Sequence, residues 1–111
     1  MPRLPNSADA ILDIRKLADY CLSPVHPRGR HKARLFRELC GIGQAEAAWL
    51  RATLLQSVGR NEALEIGADA YGTRWRVDVP VTRQGKSVMV RTMWIVRNGE
   101  TRPRFVTCWV L

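Results

Sequence analysis

Arg74-Trp75-Arg76-Val77-Asp78-Val79-Pro80-Val81 sets Trp75, Val77, Val79 and Val81 in alternation with Arg74, Arg76, Asp78 and Pro80. A period of two is that of a strand with one face buried. Downstream, Gln84-Gly85 is a hairpin turn signal. Ser87 to Val96 follows, rich in β-branched and aromatic residues, and Arg97-Asn98-Gly99-Glu100 turns the chain again before a last strand, Arg104 to Leu111. A weaker strand, Ala63 to Ala68, precedes Gly72. Within the third run, Val88 to Val96 is apolar at both parities around Arg91, which predicts a central strand buried on both faces.

Upstream of Gly59 the apolar residues recur at three and four instead. From Ala8 to Leu22, Ile11, Ile14, Leu17, Ala18 and Cys21 form one stripe, with Arg15, Lys16 and Asp19 outside it. Ser23-Pro24-Val25-His26-Pro27 ends that helix, since each proline keeps the residue before it out of helical geometry. A second helix is expected from Gly29 to Cys40, with Ala33, Leu35, Phe36, Leu39 and Cys40 as its apolar positions and Gly41 as its C-terminal cap. A third runs from Gln44 to Val58, with Ala48, Trp49, Ala52, Leu55 and Gln56 on neighbouring turns. The predicted fold is α+β: three N-terminal helices packed on a C-terminal three- to four-stranded antiparallel sheet. A single domain is expected over 1–111, helical through 1–60 and strand-forming through 61–111.

Composition agrees with a globular chain. Its 111 residues are 46% hydrophobic and 25% charged, unlike a disordered tail. No apolar run is long enough to span a membrane, and Met1 to Asn6 lacks a signal peptide's apolar core, so a cytoplasmic protein is expected. Cys21, Cys40 and Cys108 show no C-x-x-C spacing and read as small buried hydrophobes in a reducing compartment. With His26 and His31 as the sole histidines, no metal site and no cofactor are expected.

The net charge is +8, and of 18 cations only Lys16, Lys32 and Lys86 are lysines. Arginine's planar fork matches phosphate oxygens in pairs, and a pI near 10.5 suits a nucleic-acid partner. A high-GC genome would also favour arginine over lysine. The charge is densest from His26 to Arg37, where Arg28, Arg30, Lys32, Arg34 and Arg37 stand with His31 and no acid. A solvated basic helix face is one explanation. The other is a bound anion, because cations at a helix start oppose the helix dipole. Lys32 precedes Leu35 and Phe36 by three and four residues, so it shares their sheet-facing stripe. His26, held between Pro24 and Pro27, is a candidate for proton transfer; His31 is expected to face solvent.

Two sheet residues raise the same question. Arg91 in an apolar strand needs a partner, either Asp78 or Glu65 in a structural ion pair or a substrate phosphate. Thr107, expected on the face of Phe105 and Trp109, is either satisfied by backbone or aimed into a site. Trp75, Trp94 and Trp109 suit core packing or base stacking.

Several motifs together resemble a bacterial family, domain of unknown function 6883. They are Leu4-Pro5-Asn6, Lys16-Leu17-x-x-Tyr20-Cys21-Leu22, His26-Pro27-x-Gly29-x-x-Lys32-Ala33-x-x-Phe36, Tyr71-Gly72, Arg91-Thr92-x-Trp94-Ile95 and Pro103-x-x-Val106-Thr107. That resemblance implies no activity. The layout, helices followed by an antiparallel sheet, is also similar to the barnase, EndoU, colicin-E5 and RelE-like toxin ribonucleases. It implies a His or Lys from the helical half meeting an Arg and a hydroxyl residue from the sheet.

The expected function is therefore a small metal-independent ribonuclease, a bacterial toxin or toxin-derived domain, in which a ribose 2′-hydroxyl attacks its neighbouring phosphate. His26 would transfer protons, Lys32 and Arg91 would hold the charged phosphorane, and Thr107 would orient it. Arg28, Arg30, His31, Arg34 and Arg37 would carry RNA phosphates. Lys32 and Arg91 are accordingly expected to converge on one site with His26 at its rim. The expected partners are RNA and a cognate antitoxin or immunity protein. The rival reading is a non-catalytic module, either a winged helix-turn-helix built on the second and third helices or a silent partner in a toxin–antitoxin cassette.

Overall fold

The computed structural model describes residues 2–111; Met1 lies outside them. Helices and a four-stranded antiparallel sheet make an α+β fold. The strands β1 (Ala63–Ala68), β2 (Gly72–Arg83), β3 (Lys86–Arg97) and β4 (Arg104–Val110) lie in the order β1-β2-β3-β4, a meander. Gln84 and Gly85, with φ of 51° and 77°, make the tight turn between β2 and β3. Positive φ at both central residues is what such a two-residue turn requires. The β2–β3 register is unbroken from Gly72↔Arg97 to Arg83↔Lys86, so Val77, Val79 and Val81 share a buried face with Thr92 and Val90.

Two α-helices cover that face: α1 (Arg30–Cys40) and α2 (Ala47–Ser57). Gly41, at φ 65°, closes α1, its N–H bonding to the Arg37 carbonyl at 3.0 Å as the sequence predicts. One continuous core joins Phe36, Cys40, Leu50, Leu54 and Val58 to Val77, Val79, Val90, Trp94, Phe105 and Cys108. Trp94 meets Phe105 edge to face at 5.4 Å. Its indole donates to Thr92 Oγ1 at 2.8 Å, and Thr92 donates to the Val77 carbonyl at 2.6 Å, so these buried polar groups are paired.

Four expectations need correction. The helices sit mid-chain, two α-helices among the described residues, and Ala8–Leu22 is not a third. That segment begins with a 3₁₀ turn, Ser7–Asp9. Ile11 then pairs in parallel with Arg104, its N–H bonding the Pro103 carbonyl and its carbonyl accepting from Phe105 N–H, both at 2.8 Å. β4 is an edge strand whose backbone groups need partners, and the chain around Ile11 supplies them. Only after Asp13 has accepted from Arg15 N–H does the chain coil, into a π-helical turn, Leu17–Cys21. This wider turn buries Leu17, Cys21 and Leu22 and leaves Ile14 outside.

The second correction concerns the helix faces. In α1 the buried stripe is Ala33, Phe36 and Cys40, while Leu35 and Leu39 are partly exposed. In α2 it is Ala47, Leu50 and Leu54; of the expected Ala48, Trp49, Ala52, Leu55 and Gln56, Leu55 packs partly against the core and the others are exposed. Apolar residues surround α2 almost evenly, so periodicity alone does not choose its face. Third, β3 is central but not buried evenly on both faces: Val90, Thr92 and Trp94 are buried, whereas on the other side Met89 is exposed, Arg91 and Met93 are half-buried and Ile95 alone is buried. Fourth, Phe105 and Thr107 do not share a face. Trp94 pairs with Phe105 and Met93 with Thr107, so Val106 is an extra residue in a bulge.

Candidate functional site

The π-helical turn delivers Tyr20 to the mouth of a cleft between α1 and β4. Gly29, just before α1, lies so close behind Tyr20 that a Cβ there would stand 2.8 Å from the Tyr20 carbonyl carbon and nearer still to its oxygen. The ring of His26 meets the Tyr20 ring edge-on, with centroids 4.7 Å apart. Lys32, one turn into α1, donates from Nζ to Tyr20 Oη at 3.0 Å and to Thr107 Oγ1 at 3.1 Å. The His26-Pro27-x-Gly29-x-x-Lys32 motif thus converges on one tyrosine. Three of its four named residues, His26, Gly29 and Lys32, meet Tyr20 directly.

Lys32 lies on the sheet-facing side, as its spacing predicts, and its ammonium is also 4.7 Å from the Tyr20 ring centroid and 5.3 Å from that of Trp109. Among the described residues it has no carboxylate partner; the ion pairs all involve other cations. Behind Thr107 lies the sulfur of Cys21. Thr107 Oγ1 accepts from Lys32 and stands 3.6 Å from Cys21 Sγ, to which its hydroxyl proton is free to point. Hydrogen bonding from Cys108 does most to bring the Cys21 thiol down to about 6. Thr107 and the Lys32 charge act in the same direction, against burial. Cys108, wholly buried and sharing that bond, is pushed well above the ordinary thiol value. The three cysteines are free and buried.

His26 is placed differently from the expectation. Its Nδ1 accepts from the backbone N–H groups of Arg28 and Gly29, each at 3.0 Å, so the neutral ring carries its proton on Nε2. His26 therefore occupies amides that an anion at the start of α1 would use. In this tautomer it can donate a hydrogen bond from Nε2 but has no free lone pair with which to take a proton.

Arg91 does not join Lys32. Its Nε and Nη2 bind both oxygens of Asp78, at 2.9 and 3.0 Å, which holds the Asp78 carboxyl below the usual range. Of the two structural partners that the sequence allows, Asp78 is the one found. Two adjacent cations repel each other, whereas an arginine opposite an aspartate in the β2–β3 register is satisfied by the fold itself. Arg91 is nonetheless the cross-strand neighbour of Trp109, so it adjoins the site without facing it with a free guanidinium.

The cleft itself has a volume of about 350 Å³ and is lined by His31, Lys32, Leu35, Trp109 and Val110. His31 thus borders the cleft while remaining exposed. Arg28, Arg30 and Arg37 are exposed along the same helix or its entry, and Arg34 makes a loose 3.7 Å pair with Glu38. The residues that sequence reasoning missed are Tyr20 and Cys21 as members of the cluster; Trp109 it offered for core packing or base stacking. Tyr20 could have been found from Lys16-Leu17-x-x-Tyr20-Cys21, a motif that carries an aromatic only partly buried against the core.

No group of three or more His, Cys, Asp or Glu that could hold a metal occurs among the described residues. None of the helices among them is long and apolar enough to cross a membrane. No curated protein and no solved structure matches the chain. The model of one family, described as domain of unknown function (DUF6883), matches residues 3–111, and the chain belongs to that family.

Proposed function

We propose that the cluster of Lys32, Tyr20 and Thr107 is a phosphate-binding centre for RNA, and that the protein cleaves RNA without a metal, by attack of a 2′-hydroxyl on the adjacent phosphate. The observation that carries this reading is Lys32: a half-buried side chain at a cleft, with no carboxylate partner among the described residues. A cation withdrawn from water without an acidic partner is stabilised when an anion arrives. Two of its N–H groups are held by Tyr20 and Thr107, which fixes where the third can point. In the phosphorane that ammonium would meet developing charge, His26 Nε2–H would donate a hydrogen bond to the leaving oxygen, and solvent water would take the 2′-hydroxyl proton and return one to the leaving oxygen. Arg28, Arg30, His31, Arg34 and Arg37 would carry flanking phosphates. Arg91 has no part in this scheme, being held by Asp78. A cytoplasmic toxin with a cognate antitoxin or immunity protein is the setting we propose for such an enzyme.

One observation favours a second reading, RNA binding without cleavage. With Nδ1 occupied, His26 supplies a hydrogen-bond donor but no base. The two readings separate in one experiment. Labelled RNA is incubated in EDTA with the wild-type protein and with Lys32→Met, and the products are examined for 2′,3′-cyclic phosphate ends. Cleavage that persists in EDTA and disappears with Lys32→Met supports the enzyme. Retardation of RNA without cleavage supports the binding module. Cleavage that needs added magnesium or manganese defeats the mechanism.

A further inference from the structure

Beside the Lys32 ammonium the cleft changes character. Leu35, Val110 and the indole of Trp109 form its walls, and no acid lines it. Trp109 has the parity opposite the fully buried Cys108 and the buried Val110, and it stays half-exposed on the edge strand. Leu35, expected in the core, is instead 37% exposed at the same cleft. A lone exposed leucine is unremarkable. Here, though, an aromatic face and an aliphatic wall flank a phosphate-sized cation, and the opening is edged by His31, with Arg34 one turn further along α1.

We infer that this cleft is a nucleobase subsite: an unpaired base of RNA stacks on Trp109, against Leu35, while its phosphate is held by Lys32. The proposal rests on the phosphate reading above and adds the substrate class, single-stranded RNA. The occupant follows from the chemistry of the walls. A detergent-like or aliphatic ligand would leave Lys32 without a partner, and an acidic peptide would leave the indole without one. A nucleotide brings a flat π-face and an anion joined at a short, fixed distance, and both parts are matched. In a duplex the base is stacked on its neighbours and cannot enter a cleft of this kind. Stacking on an aromatic side chain is also tolerant of sequence, because every base has a π-face.

The test measures the anisotropy of labelled oligomers on the full chain, with wild type, Trp109→Leu, Trp109→Phe and Lys32→Met. The probes are a single-stranded RNA pentamer, the same strand paired in a duplex, and a pentamer of abasic ribose phosphates. Trp109→Leu is expected to weaken the base-bearing single strand roughly 5- to 100-fold, the range for one lost base–aromatic stack. It should leave the abasic strand unchanged, and Trp109→Phe should retain most of the binding. Equal weakening of both strands, no weakening of either, or tighter binding of the duplex than of the single strand overturns the base subsite. Thermal melts of each variant identify a folding defect, and in that event Trp109→Phe and the comparison of the two strands on wild type decide. Lys32→Met reports separately: if it binds single-stranded RNA as wild type does, the phosphate reading fails whatever Trp109 shows.

Discussion

Gly29→Ala is a substitution whose sign is decided by a single contact. Gly29 has φ −85° and ψ −21°, a conformation that alanine adopts freely. On backbone grounds alone the change would stabilise the protein by about 0.4–1 kcal/mol, because alanine narrows the unfolded ensemble. The fold says otherwise. The new methyl would lie 2.8 Å from the Tyr20 carbonyl carbon, closer to its oxygen, and 3.0 Å from Tyr20 Cδ1. The obstacle is backbone, so no side-chain rotation relieves it. Overpacking of this kind costs roughly 1–3 kcal/mol, and a rigid backbone contact belongs at the upper end. Net destabilisation of about 2 kcal/mol follows, near 8 °C in Tm for a chain of this size. Displacing Tyr20 also loosens Lys32, so RNA affinity should fall with it. Thermal melts at neutral pH measure the first effect, and anisotropy at a temperature where both proteins are folded measures the second. A Tm equal to or above that of wild type would refute the close approach, and with it the account of why the motif carries glycine.

Phe36→Ala removes a wholly buried ring that joins α1 to the sheet. It should cost about 3–5 kcal/mol in urea unfolding. Cys21 titrates in the folded state near about 6, below its ordinary 9.0. Between those values the unfolded chain holds the extra proton, so stability should rise with pH across that window. Cys21→Ala should flatten the rise and remove the thiolate absorbance step near 240 nm. Affinity for RNA should fall steeply with salt through counterion release, and Arg30→Ala should reduce the slope of log K against log salt by about one. A salt-independent affinity would remove the phosphate contacts from the scheme.

Some of this molecule was legible before folding. Strand alternation in Trp75–Val81, the demand for positive φ at Gln84-Gly85 and the glycine after Cys40 are local constraints, and each is found where the sequence puts it. The partner of Arg91 was legible too. Asp78 stands six residues before Gln84 and Arg91 six after Gly85, so a two-residue turn sets them opposite each other. Hairpin counting therefore carried more information than the apolar surroundings of Arg91.

The rest depended on contacts between distant segments. The stripe from Ile11 to Cys21 suits a helix, yet the unpaired edge of β4, some ninety residues away, takes the Ile11 backbone as a partner. Periodicity reports where apolar side chains recur but not which backbone groups lack bonds. α2 is apolar nearly all round, so the direction of the sheet chose its buried row. Charge, the arginine-rich α1 and the sheet-facing position of Lys32 belong to the sequence. Tertiary structure alone brought Tyr20, Thr107 and Trp109 around the Lys32 ammonium and set His26 to bond the amides before α1, because their convergence depends on a π-helical turn, a bulge and an edge strand. None of these three features is encoded in any one stretch of the chain.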